Sequence, residues 1–132
     1  MKKLITAALA AVALVSLLET PASAAICDKT IRLTATAAGA DVQADGRARL
    51  RSDARNRQSL RVEVSVALPD GTLLSVSANG IAAGTAAVIA GRAVLDLTNA
   101  AAPLPAGLDP VCGITSVSVA DPAGAILLTG AF

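Results

Sequence analysis

The chain has 132 residues, of which 54% are hydrophobic but only 1% aromatic, and its formal net charge is +1. It contains no His, which removes the usual general base, the usual activator of a Ser nucleophile and the commonest transition-metal ligand. The balanced charge argues against nucleic-acid binding, which relies on excess Lys and Arg. We therefore expect a protein that is not an enzyme and that binds neither a cofactor nor a metal.

The N-terminus has the pattern of a bacterial export signal. Two Lys residues precede an apolar run over 4–18, and Ala22-Ser23-Ala24 is a small-residue cleavage site. The apolar run is shorter than the ~20 residues that cross a bilayer, which argues against a membrane anchor. We expect residues 1–24 to be a signal peptide. Residues 25–132 should form a single domain without an integral membrane anchor, located in the periplasm or outside the cell.

The only two Cys residues are Cys27 and Cys112. Exported chains of this size commonly form disulfides, so we predict a bond between them that closes a long loop. Two buried free thiols are the alternative. A lipid anchor on Cys27 is disfavoured, because Ile26 precedes it where bacterial lipoprotein signals have a small residue.

Alternation of apolar and polar residues predicts strands along the whole mature chain. The clearest one carries Leu60, Val62, Val64, Val66 and Leu68 on a single face. A bulge is expected just after Ile114, which is out of parity with the apolar residues that follow it. The predicted strands are 31–35, 46–52, 60–68, 72–78, 85–89, 92–98, 114–119 and 125–132. The predicted loops and turns are 39–45, 53–57, 69–71, 79–80, 99–110 and 121–124.

Two segments of the chain resemble one another. Residues 64–74 read VSVALPDGTLL and residues 117–127 read VSVADPAGAIL, and each predicts a hairpin with a Pro and Gly turn. Each follows a Gly-Arg-Ala-x-Leu strand, at 46–50 and 91–95. This pattern predicts an all-β fold, an immunoglobulin-like antiparallel β-sandwich of about seven or eight strands that arose by internal duplication. Chance similarity between two Ala- and Val-rich segments is the alternative.

The only local concentration of charge is a group of arginines between residues 47 and 61. Arg47, Arg49 and Arg51 alternate with apolar residues, so their side chains should emerge on one face of a strand. Arg61 should join them if its strand pairs antiparallel with theirs. Guanidinium groups at this spacing suit contacts with phosphate or carboxylate groups. The alternative is a solvated face that keeps the sheet soluble and blunts edge pairing.

These observations predict an exported binding, adhesion or structural module of the bacterial envelope. Its partner would be an envelope or surface component that carries negative charge. One alternative is a small outer-membrane β-barrel, because the chain ends in the aromatic Phe132 as such barrels commonly do, although it lacks their aromatic girdles. The other is a hydrolase that works without His, which would require paired carboxylates in a cleft.

Overall fold

The computed structural model describes residues 26–132, and the predicted signal peptide lies outside the described residues. Helix α1 (Ala37–Asp41) lies between the first two strands, and a 3₁₀ turn (Val111–Gly113) precedes the seventh. The strands are β1 (Cys27–Ala35), β2 (Asp45–Ser52), β3 (Gln58–Ser65), β4 (Leu73–Ala78), β5 (Ile81–Ala87), β6 (Arg92–Thr98), β7 (Ser116–Ala120) and β8 (Ile126–Ala131). The prediction of an all-β fold with about eight antiparallel strands is confirmed.

All eight strands form one sheet in the order β5-β4-β7-β8-β1-β2-β3-β6. It consists of two four-stranded parts, which we call the arginine half (β1, β2, β3 and β6) and the serine half (β4, β5, β7 and β8). Only two residue pairs join the halves at β1 and β8, Thr34 with Thr129 and Ala35 with Leu128. At the other side β5 and β6 contact each other without forming a ladder. The sheet is therefore nearly closed on itself.

The interior of the nearly closed sheet is filled by aliphatic side chains from all eight strands. The inward face predicted over 60–68 is confirmed for Leu60, Val62, Val64 and Val66, which are buried. Leu68 is only partly buried, and β3 ends at Ser65, before the predicted end of the strand. The single aromatic residue, Phe132, is only partly buried and packs against this core. Val, Leu, Ile and Ala thus supply the hydrophobic stabilisation that aromatic residues provide in many domains.

Helix α1 occupies part of a segment that the sequence predicted to be a loop. The hydroxyl of Thr36 caps it by accepting a hydrogen bond from the Gly39 N–H at 3.1 Å. The Thr36 N–H donates to the carbonyl of Leu127 in β8 at 3.0 Å. A Cβ on Gly39 would lie 1.9 Å from that same carbonyl oxygen, so only glycine allows this close approach. A helix of five residues is too short to show a hydrophobic period in the sequence.

The hairpin predicted for residues 64–74 is wrong, and the one predicted for residues 117–127 is correct. β3 pairs with β2 and β6, whereas β4 pairs with β5 and β7, so the chain crosses between the halves after β3. β7 and β8 pair directly with each other. The Pro and Gly residues of the first segment therefore turn the chain without joining two paired strands.

The same difference in pairing contradicts the predicted superposition of the two segments. The strands β2 and β3 are neighbours, but their counterparts β6 and β7 belong to different halves. The local features are nevertheless shared: Gly71 and Gly124 both sit in turns with φ of 89° and 90°. The likeness between the segments is one of local pattern, and the strand arrangement is not repeated.

Strand β8 buries two consecutive side chains, Leu127 and Leu128. Its pairing with β7 shifts between Val119 and Ala120, which makes Leu127 the extra residue of a β-bulge and turns both leucines inward. The sequence predicted a bulge just after Ile114 instead, but the 3₁₀ turn ends at Gly113 and β7 begins only at Ser116. The expected central position of the last strand is confirmed, since β8 lies between β7 and β1.

The long loop after β6 packs against the sheet near the beginnings of β3 and β5. Leu108 in this loop is fully buried, and a Cβ on Gly107 would lie 2.5 Å from the Ile81 side chain. The buried Gln58 side chain holds the loop by donating to Asp109 at 2.9 Å and accepting from the Val111 N–H at 2.7 Å. This polar network fixes the loop to the beginning of β3.

The predicted disulfide between Cys27 and Cys112 is confirmed. The two Cα atoms are 5.9 Å apart, within the usual range for such a bond. Cys27 begins β1 and Cys112 lies in the 3₁₀ turn, so the bond ties the end of the long loop to the first strand.

Candidate anion-binding face

The charged residues are distributed very unevenly between the two parts of the molecule. All nine Lys and Arg residues within 26–132 belong to the arginine half or to its β2–β3 connection, together with five acidic residues, which gives +4. The other described residues carry four Asp and no cationic side chain, which gives −4. A chain that is neutral over this range is thus strongly polarised once folded.

Antiparallel pairing brings the four predicted arginines onto one outer face. Arg49 stands opposite Arg61 in the β2–β3 register, and Arg47 and Arg51 lie two residues to either side on β2. The outward position of all four follows from the alternation in β2 and β3, whose intervening residues are buried. The structure therefore assembles the set that the sequence singled out.

The face also contains carboxylates that hold two of these arginines firmly. Arg49 donates two hydrogen bonds to Asp28, at 2.9 and 2.8 Å, and these bonds hold the pKa of Asp28 below its ordinary value. Arg61 donates to Glu63 at 2.8 Å and to Asp96 at 3.0 Å. The bond from Arg61 is the main reason why the pKa of Glu63 is lowered. Arg49 and Arg61 are consequently committed within the face.

Other arginines of the face keep their donors more accessible. The guanidinium groups of Arg47 and Arg92 approach Glu63 only to 3.7 and 3.5 Å, and neither makes a hydrogen bond with it. Their side chains are 67% and 65% exposed. Arg51 makes neither a hydrogen bond nor a salt bridge within the described range, although its charge contributes to lowering the pKa of Asp28. These three arginines are the ones best placed to contact an anionic surface.

The sequence did not single out several members of this face. Arg32 projects from β1 opposite Arg47 and pairs with Asp45 through a hydrogen bond of 3.2 Å. Arg92 enters from β6, opposite Ser65 of β3. The sequence contained a signal that Arg32 belongs to this face, because Arg32 occupies a polar position of an alternating strand. It contained no such signal for Arg92, because Arg92 reaches the face only through the long-range pairing of β3 with β6.

A groove of about 470 Å³ crosses the outer surface of the arginine half. Its charged lining residues are Arg32, Asp45, Arg47, Glu63 and Arg92, and its hydroxyl groups come from Thr30 and Ser65. Three arginines and two carboxylates line it, so its net charge is +1. Anionic groups are therefore favoured in the groove over cationic ones.

The serine half presents a very different outer surface. Its four strands carry no charged residue, and most of their outward positions are Ser, Thr or Ala. Leu73 and Ile126 are exposed on it, by 53% and 41%. An anionic ligand recognised through charge must therefore contact the arginine half.

Over residues 26–132, no helix has the length and apolar character needed to span a bilayer. Within the same range, no three side chains of His, Cys, Asp or Glu are grouped so that they could hold a metal ion. Comparison of the chain with protein-family models, with curated proteins and with solved structures finds no match. The geometry and charge of the arginine half are accordingly the basis for the proposals below.

Proposed function

We propose that this protein is an exported, non-enzymatic binding module of the bacterial envelope whose arginine half contacts a negatively charged surface. The observation that carries the proposal is the segregation of charge, +4 on the arginine half against −4 on the remaining described residues. Such a field orients the molecule as it approaches an anionic surface and speeds the encounter. Because ionic screening acts over about 8 Å at physiological salt, the contact is sensitive to salt.

Export to the periplasm or the cell exterior is supported by the signal pattern of residues 1–24 and by the Cys27–Cys112 bond, which fits an oxidising compartment. The two halves would be the layers of an immunoglobulin-like sandwich. In support, the chain crosses from one half to the other after β3, after β5 and after β6, as Greek-key connections do.

A binding role rather than catalysis is supported by the state of the carboxylates on the face. The arginines beside them lower the pKa of both Asp28 and Glu63, so both groups stay ionised at neutral pH. A carboxyl that acts as a general acid near neutral pH requires a raised pKa. These carboxylates instead position arginine side chains.

The test compares the wild type with the triple variant Arg47→Ser/Arg49→Ser/Arg51→Ser in binding to vesicles that contain anionic lipid or lipopolysaccharide. Each basic residue near an anionic surface contributes about 1 kcal/mol, so the variant should bind on the order of 100-fold more weakly at low salt. High salt should remove most of the wild-type binding. Circular dichroism verifies that the variant is folded.

A charge-matched control distinguishes the effect of the arginine half on binding from the effect of net charge. Ser75→Arg, Thr85→Arg and Thr129→Arg, added to the triple variant, restore the net charge on exposed positions of the serine half. This variant should remain weak on vesicles, because its arginines are on the wrong half. Equal low-salt binding by the wild type and the triple variant would refute the proposed function. Full recovery in the charge-matched control would show that net charge alone is responsible.

A further inference from the structure

We propose that the groove between Arg47 and Arg92 is a site for a phosphate group, and that the Glu63 carboxylate acts there as an internal competitor. The proposal rests on the proposed function, because it names the chemical group that the arginine half recognises and the place where it binds. The proposal also distinguishes the arginines that contact the ligand from those that only bind carboxylates within the face.

The two arginines approach the same point from different strands. Arg47 belongs to β2 and stands directly opposite Glu63, while Arg92 belongs to β6 and stands opposite Ser65. Their Nη2 atoms lie 3.7 and 3.5 Å from the same Glu63 Oε2 atom. These distances leave the N–H donors of both arginines free for shorter bonds to another acceptor. The exposed hydroxyl of Ser65 adds a donor at the same place.

A phosphate group fits this arrangement better than a single carboxylate does. It offers several acceptor oxygens in tetrahedral directions, so it can accept bonds from guanidinium groups on two separate strands at once. Arg32 does not compete for this role, because its guanidinium already binds Asp45 through two nitrogen atoms. The site therefore depends on Arg47 and Arg92.

Glu63 has the position and charge of a competing anion. Its side chain is only 23% exposed, and its Oε1 atom accepts a hydrogen bond from Arg61 at 2.8 Å. It reduces the net charge of the groove lining from +2 to +1 and repels an incoming phosphate. Replacing it by Gln keeps the shape and removes the charge, so Glu63→Gln should bind phosphate more tightly, by roughly fivefold for a partly exposed charge.

The experiment measures the dissociation constants of inorganic phosphate, by NMR titration of the full mature protein, and of vesicles containing phosphatidic acid. Arg47→Gln and Arg92→Gln should each weaken binding by roughly tenfold, the loss of one charged hydrogen-bond donor. For inorganic phosphate, Arg51→Gln is the matched control, since it removes the same charge from the same strand face outside the groove. On vesicles it should lose only the roughly fivefold that one basic residue contributes near an anionic surface. Asp96→Asn is the control for Glu63→Gln, because it removes another Arg61-bound carboxylate.

The phosphate site is supported if Glu63→Gln binds inorganic phosphate more tightly and Arg47→Gln binds it more weakly, while Arg51→Gln and Asp96→Asn resemble the wild type. If inorganic phosphate does not bind but Arg47→Gln weakens vesicle binding more than Arg51→Gln does, the phosphate group that is recognised belongs to a lipid. Equal effects of Arg47→Gln and Arg51→Gln with every probe that binds would overturn the phosphate site and leave the proposed anionic contact standing. If the wild type binds neither phosphate nor anionic vesicles, both proposals fail. Should Glu63→Gln not fold, the Arg47 and Arg51 comparison still decides.

Discussion

Removing the Cys27–Cys112 bond should destabilise this protein more than any other change that leaves the packing intact. The bond joins residues 85 apart and encloses strands β1 to β6 within one covalent loop. The chain-entropy relation gives a loss of about 15 cal/mol/K for closing a loop of this length in the unfolded chain. At room temperature this corresponds to about 4.5 kcal/mol of stability.

This contribution is large because the domain is small and lacks aromatic packing. The net stability of natural domains is about 5–15 kcal/mol, so a bond worth about 4.5 kcal/mol supplies roughly 30% of it or more. Seven residue pairs with β2 hold β1 in place independently of the bond. We therefore expect the reduced protein to keep its fold at low denaturant and to lose stability mainly because the unfolded chain regains freedom.

The measurement is urea unfolding of the wild type and of the double variant Cys27→Ser/Cys112→Ser. The chain has no Trp and no Tyr, so far-UV circular dichroism is the suitable signal. The free energy of unfolding should fall by about 3–4.5 kcal/mol, since such bonds often deliver less than the entropic value. The wild type in reductant is the matched control for the Ser side chains. A loss below about 1 kcal/mol in both would refute the entropic reasoning.

Three further changes test the packing and the charges. Gly39→Ala should cost at least about 2 kcal/mol, because its Cβ would collide with the Leu127 carbonyl, whereas Gly113→Ala, with open space around it, should be nearly neutral in thermal unfolding. Gln58→Ala should cost about 2 kcal/mol in urea unfolding, because a buried backbone N–H of the long loop loses its acceptor. Stability should be flat between about pH 7 and pH 5, since no His titrates, and should fall below about pH 4. The folded protein lowers the pKa values of Asp28, Asp53 and Glu63. The stability that these ionised carboxylates contribute is therefore fully present above the unfolded-state pKa and is lost as pH falls through the folded-state pKa. Greater stability at low pH than at neutral pH would contradict this prediction.

Much of the local structure was predictable because it depends on neighbouring residues alone. The boundaries of β6 agree with the predicted strand, and the Asn79-Gly80 turn joins β4 to β5 with both residues at positive φ. The boundaries of β5 were less accurate. It begins at Ile81, before the predicted start at residue 85, because a run of Ala and Gly gives little contrast between its two faces.

The partner of each strand was not predictable from the same local pattern. After β3, the Val66 N–H donates to the Gly91 carbonyl and the Ala67 N–H to the Val42 carbonyl, so this segment is held by distant residues and leads away from β3. Alternation specifies which side chains face inward, but it contains no information on which strand lies alongside. The first predicted hairpin failed for this reason.

The sequence by itself determined the strand periods, the inward faces, the single possible disulfide and the row of arginines on β2, because each depends on residue type and short spacing. Only the tertiary structure decided how charge is distributed. The long-range pairing of β3 with β6 brings Arg92 beside Glu63, and the pairing of β1 with β2 brings Asp28 to Arg49. Charges that cancel along the chain become separated in space, because the chain assigns every cationic residue within 26–132 to one half of the sheet.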